Sequence, residues 1–299
     1  MTLHAADALV EVACALCGSL QREERFREAP YSVYLCSGCG LTYVSPRIRD
    51  ERLIEDVYDE EYWRSSAART RGYGDYVGDA ELMRATFRRR LRVVQRHTRG
   101  PGRALDVGCA AGFFLDVLSN VDWDVFGVEP SRSMADAAAQ RLGSERVQCA
   151  RFEDADHAPQ SFDLITMWDV LEHLSDPVGA LRQARQLLAP GGRLILETQN
   201  VNSRAAKVLG RRWHHYKHAE HLVHFEPRTL EHALEAAGLH MTELGSRRAG
   251  KYVRPGFIVE RSERMHRWLP KLLAPLERIG KQAIYVNLFD EMIAVAEAH

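Results

Sequence analysis

Four cysteines near the amino terminus are the first residues whose spacing implies chemistry. Cys14-x2-Cys17 and Cys36-x2-Cys39 each bring two thiols to one turn, and Gly18 and Gly40 follow them directly. Two such turns complete a tetrahedron of thiolates around Zn²⁺, at about 2.3 Å per sulfur. The spacer of 18 residues between the pairs suits a zinc ribbon or knuckle. Four protein ligands leave no open position, so Cys14, Cys17, Cys36 and Cys39 are expected to hold a structural ion. The alternatives are unbound thiols, a brace for the amino terminus, or a grip on a substrate or carrier.

A second constellation lies in Ala104-Leu105-Asp106-Val107-Gly108-Cys109-Ala110-Ala111-Gly112-Phe113-Phe114-Leu115. An apolar run of strand type turns sharply into a helix there. Glycine supplies the unusual dihedrals and admits a close ligand, and the helix start offers free N–H groups. Glu129 closes the next strand-like run, where a carboxylate can accept both hydroxyls of a ribose. The spacing Gly108-x3-Gly112 is not that of a dinucleotide loop, and no Gly-Lys-Ser/Thr follows it. Asp106 would repel phosphate, yet it can orient an ammonium group.

This segment resembles the first motif of class I, Rossmann-like methyltransferases that use S-adenosylmethionine. The resemblance continues through Phe162-Asp163-Leu164-Ile165, Trp168-Asp169-Val170-Leu171-Glu172-His173-Leu174, Leu188-x-Pro190-Gly191-Gly192 and Thr198-x-Asn200, over roughly residues 80 to 245. Its flavour is that of quinone-precursor O-methyltransferases and of enzymes in sugar and polysaccharide pathways. The resemblance implies that Asp106, Gly108, Ala110 and Gly112 shape the methionine and ribose end and that Glu129 holds the ribose. It implies that Phe152 and Glu153 cradle adenine and that Trp168 and Asp169 face the cofactor. One departure is Ala110, where the family commonly has glycine. It keeps the loop tight but weakens the cofactor's grip, and a non-catalytic cofactor-binding module is the reading it leaves open. Some rRNA guanine methyltransferases also carry an amino-terminal zinc site, which keeps an rRNA or tRNA methyltransferase as a further alternative.

S-adenosylmethionine carries an activated methyl group, so the protein's task is to align the acceptor and exclude water. A hydroxyl acceptor also needs a base, and histidine suits neutral pH. His173, just past the cofactor-facing strand, is the first candidate. The segment Trp213 to Phe225 holds five histidines, at 214, 215, 218, 221 and 224. His221 is the second candidate for the acceptor site or base. A metal held by His218, His221 and His224 on one helical face, with Glu220 nearby, is the alternative.

The surrounding pattern must position these groups. From Gly100 the chain alternates strands and helices, which predicts an α/β fold with a doubly wound, mostly parallel seven-stranded sheet. Residues 1–49 read as a zinc ribbon, 50–79 as an acidic, aromatic connector (Tyr58, Tyr62, Trp63, Tyr73, Tyr76), and 80–299 as the methyltransferase domain. Segments 201–225 and 250–286 read as substrate-covering insertions. The apolar-basic tail Phe257 to Tyr285 is expected to cap the pocket; a dimer or membrane-surface helix pair is its alternative. A helix is predicted from Asp79 to His97 with Arg84, Arg88, Arg89, Arg90, Arg92 and Arg96 on a solvated face.

With 299 residues, 45% hydrophobic and 27% charged, the composition is that of an ordinary globular protein. A formal net charge of −1 supplies no field for nucleic acid, so a small-molecule acceptor is the expected partner. Met1 to Val12 carries Asp7 and Glu11 and reads as no signal peptide, and no apolar run is long enough to span a bilayer. A cytoplasmic protein, with a homodimer possible, is the expectation, and close cysteine pairs suit that reducing compartment.

Overall fold

Apolar residues alternate face by face along the central strands, and that alternation builds two cores on one sheet. The computed structural model describes residues 8–58, 60–63, 76–265, 268–279 and 282–298. Met1, Asp7 and Tyr73 lie outside these residues.

The amino-terminal module contains β1 (Leu9–Val10), β2 (Arg22–Glu28), β3 (Tyr31–Cys36), β4 (Thr42–Ser45) and β5 (Arg47–Ile48). Each Cys-x2-Cys turn closes on the following glycine. Gly18 N donates to Cys14 O at 2.8 Å and Gly40 N to Cys36 O at 2.9 Å. Both glycines sit in the left-handed region, at φ 71° and 82°, where a side chain would be strained. Residues of the expected connector form α1 (Asp50–Val57) and α2 (Glu60–Trp63). The long helix α3 follows (Ala80–His97).

The βα alternation then runs β6 (Arg103–Val107), α4 (Phe113–Ser119), β7 (Asp124–Val128), α5 (Arg132–Leu142), β8 (Val147–Gln148), β9 (Phe162–Trp168), α6 (Pro177–Leu187) and β10 (Leu188–Gln199). Asp176 caps α6, accepting from Gly179 N, with Pro177 at the first helical position. After α7 (Arg204–Leu209) come β11 (Val223–His224), α8 (Pro227–Ala236), β12 (Leu239–Gly245), β13 (Lys251–Val253), α9 (Pro255–Met265), α10 (Leu269–Leu273), β14 (Ile284–Val286) and β15 (Glu291–Ala298). The main sheet has the order β12-β15-β10-β9-β6-β7-β8. Strands β10, β9, β6, β7 and β8 pair in parallel, and β15 is antiparallel to β10 and β12. The doubly wound seven-stranded expectation therefore holds. None of the described helices is long and apolar enough to cross a membrane.

On β9, Leu164 faces one core and Ile165 the other; on β10, Ile195 faces one while Leu194 and Leu196 face the other. The core that holds Leu105, Ile165 and Leu196 also takes in Cys14, Cys36, Leu41 and Tyr43. The cysteine turns thus share a core with the seven-stranded sheet. The link is also made by backbone. Strand β11 pairs with β4, Val223 opposite Tyr43 and His224 opposite Thr42, completing the sheet β11-β4-β3-β2.

Helix α3 lies where its period placed it, with one main departure. Arg90 is not on the solvated face: it is buried with Leu82, Thr86, Phe87, Val93 and Val94. Its Nε and Nη2 donate to Glu197 Oε2 and Oε1 at 2.5 and 2.6 Å. A paired fork can enter the core because all four polar atoms are satisfied. Arg84 instead binds Asp116 on α4 at 2.7 Å, and Arg89 stacks over Tyr285.

Removing the guanidinium would leave the Glu197 carboxylate buried without its cation. Arg90→Met is therefore expected to destabilise the chain by about 3–5 kcal/mol. Urea unfolding followed by circular dichroism measures this, and a shift below about 1 kcal/mol would contradict the buried pairing.

Candidate active site

The bend after β6 is the tightest feature of the site. Gly108, Ala110 and Gly112 all have positive φ, at 69°, 45° and 76°. A Cβ on Gly108 would lie 2.7 Å from Val170 Cγ2. A Cβ on Gly112 would press on Ala138 and Leu142 at 3.1 Å, so this glycine lets α4 and α5 approach. Ala110 occupies the left-handed region with a side chain, at a cost of about 1–2 kcal/mol.

Glu129 compensates. Its Oε2 accepts from Ala110 N at 2.9 Å and its Oε1 from Ser131 N at 2.8 Å. Val128 O, just before it, accepts from Gly108 N at 2.8 Å and Cys109 N at 3.2 Å. Burial pushes the Glu129 carboxyl up to about 7, against the pull of these N–H groups. Ser131 precedes α5 as expected, although its backbone, not its hydroxyl, makes the bond.

Gly108, Ala110, Glu129, Phe152, Glu153, Trp168, Asp169 and His173 line one cleft of about 540 Å³. It opens at the carboxyl ends of β6, β7 and β9, beside the point where the strand order reverses, which is where open α/β sheets bind ligands. Asp106 and Gly112 are outside the lining. Asp106 is buried beneath the bend, accepting from Thr166 Oγ1 at 2.6 Å, and burial pushes its carboxyl up to about 7. Phe152 is anchored through its carbonyl, which accepts from Gln183 Nε2 at 2.7 Å. Glu153 accepts from Arg151 Nε at 2.6 Å. Trp168 packs edge-on against Phe114, and its Nε1 is buried without a hydrogen-bond partner. An orphaned indole N–H in a cleft wall is suited to donating to a ligand.

A further wall comes from the segment read as a connector. Leu53, Ile54, Tyr58, Tyr62, Trp63 and Tyr76 line the same cleft. Their rings contact one another in series, Tyr58 to Tyr62 at 5.0 Å, Tyr62 to Trp63 at 4.8 Å and Trp63 to Tyr76 at 5.3 Å. Trp63 Nε1 reaches Ser131 Oγ at 3.1 Å. The aromatic spacing carried this signal, but nothing in it fixed the fold-back onto the bend. Among the described residues of the tail, 255–265 and 268–279, none lines this cleft.

His173 lines the cleft with its Nδ1 at 2.7 Å from Tyr58 Oη and 2.9 Å from Glu220 O. Burial lowers its affinity for a proton, so the ring is neutral near pH 7. His221 is buried behind it, outside the cleft lining, with its ring edge-on at 4.7 Å. The alternative of one helical face carrying His218, His221 and His224 does not form. Residues 213–222 are turns, His218 Nε2 contacts Glu28 Oε2 at 3.1 Å, and His224 enters β11. Pairing with β4 overrides any helical period there.

At the rear of the cleft stands a charged ring that sequence reasoning missed apart from Asp169. Lys251 Nζ lies 2.9 Å from Asp169 and 2.6 Å from Glu291, and Arg90 lies 3.8 Å from Asp169. Burial would raise the Asp169 carboxyl, but Lys251 and Arg90 outweigh it and hold it below its usual range. Asp169 also has a positive φ of 56°, a strained conformation of the kind found at binding sites. Lys251 is more than 80 residues away from Asp169 in sequence, so no local pattern revealed the contact.

Outside the cleft lining, the Sγ atoms of Cys14, Cys17, Cys36 and Cys39 all lie within 4.8 Å of one another. The closest approaches are 3.5 Å between Cys14 and Cys39 and 3.4 Å between Cys17 and Cys36. Tetrahedral sulfurs about 2.3 Å from one ion stand roughly 3.8 Å apart, so the four positions fit a cation at their centre. The Cys36 thiol is drawn down to about 7, as the N–H groups of Cys39 and Gly38 and the Cys17 thiol outweigh its burial.

A family model described as a methyltransferase domain matches residues 79–244. A ubiquinone biosynthesis O-methyltransferase of Methylococcus capsulatus is 28% identical over 137 residues, which are 44% of this chain and 58% of that protein. One from Idiomarina loihiensis is 32% identical over 155 residues, 50% of this chain and 63% of that protein. The chain thus spans 58–63% of the length of these curated relatives. Among solved structures, a Pyrococcus horikoshii protein superposes with a TM-score of 0.51 at 13% identity, covering 81% of this chain and 100% of its own. The CcbJ methyltransferase of Streptomyces caelestis gives 0.50 at 17% identity, covering 74% and 98%. At these identities the structures bear on the fold alone. The family match spans more than half of the sequence and takes in the bend, Glu129, Trp168, Asp169 and His173; the chain belongs to the methyltransferase-domain family.

Proposed function

We propose that this chain transfers the methyl group of S-adenosylmethionine to a hydroxyl oxygen of a small-molecule acceptor. The observation that carries the reading is the Glu129 carboxylate, fixed over the glycine bend in a cleft at the sheet's reversal point. A carboxylate held there by two backbone N–H groups keeps lone pairs for two ribose hydroxyls. Gly108 and Ala110 let a nucleoside approach the backbone. Phe152 and Glu153 flank the base, and Trp168 Nε1 and Asp169 meet the amino-acid end. Asp106 supports the bend from below, through Thr166. The cofactor, when bound, supplies a methyl group on a positively charged sulfur.

The chain's own work is then alignment, exclusion of water and removal of one proton. The ring series Tyr58-Tyr62-Trp63-Tyr76 closes a further side of the cleft, which keeps water from the reacting atoms. His173 is proposed as the base. In the tautomer protonated on Nδ1, which the Glu220 carbonyl favours, the Nε2 lone pair is left to accept the hydroxyl's proton. His221 is assigned to positioning, as it packs against the His173 ring from behind. An oxygen acceptor agrees with relatives that are ubiquinone biosynthesis O-methyltransferases, and its setting is proposed as quinone, sugar or secondary-metabolite synthesis. We further propose a structural Zn²⁺ on Cys14, Cys17, Cys36 and Cys39. Thiolates that persist unpaired in this way suit a reducing, cytoplasmic setting.

Three outcomes test these roles. Calorimetry should find S-adenosylmethionine binding weakened about 100-fold or more by Glu129→Ala, through lost charge-assisted hydrogen bonds, and abolished by Gly108→Val, whose side chain would strike Val170. Because Glu129 titrates near 7 and accepts two hydroxyls only when ionised, wild-type affinity should fall as pH drops from 8 to 6, by at most about tenfold per unit. Glu129→Gln should flatten that slope. Wild-type protein that does not bind the cofactor at all would defeat the assignment.

For the base, His173→Ala should leave cofactor affinity unchanged and cut turnover by about 10²–10⁴-fold. His221→Ala should lower turnover less and shift its pH profile. Unchanged turnover in His173→Ala removes the proposed role.

For the metal, Cys36→Ser or chelation should lower the melting temperature of the whole chain in one transition, since Cys14 and Cys36 share a core with Leu105 and Leu196. Calorimetric scans in which the amino-terminal module melts alone, with the main transition unmoved, would argue against that coupling.

A further inference from the structure

Glu172, His173 and His221 meet where the loop after β9 touches the histidine-rich segment. Each offers a ligand atom, and these atoms all lie within 4.8 Å of one another. Glu172 and His221 are 1% and 5% exposed, whereas His173 lines the cleft. The group is held from outside as metal ligands are. His173 Nδ1 lies 2.9 Å from Glu220 O and 2.7 Å from Tyr58 Oη; in the tautomer with its proton on Nδ1, the carbonyl accepts that proton and the Nε2 lone pair is left. Metal-ligating histidines almost always donate their second N–H in this way. Glu172 Oε2 accepts from Thr198 Oγ1 at 2.9 Å, which orients its carboxyl. His221 Nδ1 is buried with no hydrogen-bond partner, a state that normally has an explanation in a ligand or ion.

We propose that Glu172, His173 and His221 form a second metal site, distinct from the four cysteines, for a first-row divalent cation such as Co²⁺ or Zn²⁺. Imidazole and carboxylate together suit those ions, and two histidines with one carboxylate leave coordination positions open. A cation about 2.1 Å from each ligand would draw them to roughly 3.4 Å apart, a closure of at most about 1.4 Å from their present spacing. The other acidic group near the cleft, Asp169, Glu197 and Glu291, offers no comparable vacancy, because Arg90 and Lys251 already hold its oxygens. The proposal is independent of the methyl-transfer reading. If both hold, the cation takes the lone pair on His173 that would accept the acceptor's proton, so added metal inhibits turnover.

The test begins with full-length protein whose cysteine site is filled with zinc. Co²⁺ is added, unbound ion is removed by gel filtration, and bound metals are counted while visible absorption is recorded. The expected result is one cobalt beside one zinc per chain, with d–d bands and no thiolate charge-transfer band. His221→Ala and Glu172→Gln should each lose the cobalt and keep the zinc. Thr198→Val, which removes only the outer hydrogen bond, should weaken cobalt binding by about 10–100-fold. Should one variant fail to fold, the other two decide. No second metal in wild type overturns the proposal, and so does cobalt bound equally by wild type and the folded variants. The count reads metal directly, so its failure leaves the cofactor calorimetry untouched.

Discussion

The whole site depends on one carboxylate accepting two backbone N–H groups. Glu129 holds the amide of Ala110, a residue in the left-handed region, and the amide of Ser131 at the start of α5. Without that acceptor, the bend after β6 would keep its strain and lose the contact that offsets it. Helix α5 would lose its tether to the end of β7. The same oxygens then face the cleft. Fold and ligand recognition therefore draw on a single buried group, which explains why burial leaves it titrating near neutrality instead of in the usual carboxylate range.

A second dependence joins the two modules. Leu222 N donates to Glu172 O and Leu222 O accepts from Val44 N, at 2.8 and 2.9 Å. One residue of the histidine-rich segment therefore bridges the loop after β9 and the sheet that carries the cysteine turns. Phe26 and His218 extend the junction through ring contacts with Tyr216. The amino-terminal module is accordingly part of the scaffold behind His173. Its metal, as proposed, would act on the acceptor side by rigidity at a distance, with no coordination position left for substrate.

The sheet was legible because its central strands are buried on both faces and because α6 and α8 start on a capping residue followed by proline. Runs such as Phe162–Trp168 and the Asp176-Pro177 start need only local rules. The bend and Glu129 were legible for a similar reason: a glycine turn and an acid one strand later are close in sequence and constrained in chemistry. The alternative helical face for His218, His221 and His224 does not form because a two-residue strand, β11, gains its hydrogen bonds from β4, some 180 residues earlier. The solvated-arginine expectation failed most at Arg90, since its partner Glu197 lies on a distant strand, and in part at Arg84 and Arg89, which meet Asp116 and Tyr285. Long-range pairing of polar side chains has no signature in a local window, and the wall of Leu53, Ile54, Tyr58, Tyr62, Trp63 and Tyr76 was hidden for the same reason.

That long-range pairing also sets the electrostatics at the rear of the cleft. Asp169, Glu197 and Glu291 are matched by Arg90 and Lys251, three acids to two bases. Burial raises Glu197 and Glu291, so the ring resists carrying its full negative charge. Asp169 is the member held ionised, and it is the one that lines the cleft. The arrangement concentrates the net anionic character where a ligand arrives and keeps it off the sheet behind. A cationic sulfur or ammonium gains from such a carboxylate, whereas a phosphate would be repelled by it. The strained backbone of Asp169 is the cost of turning that side chain and Trp168 toward the same opening. Lys251 and Arg90 contribute the attraction that keeps it turned.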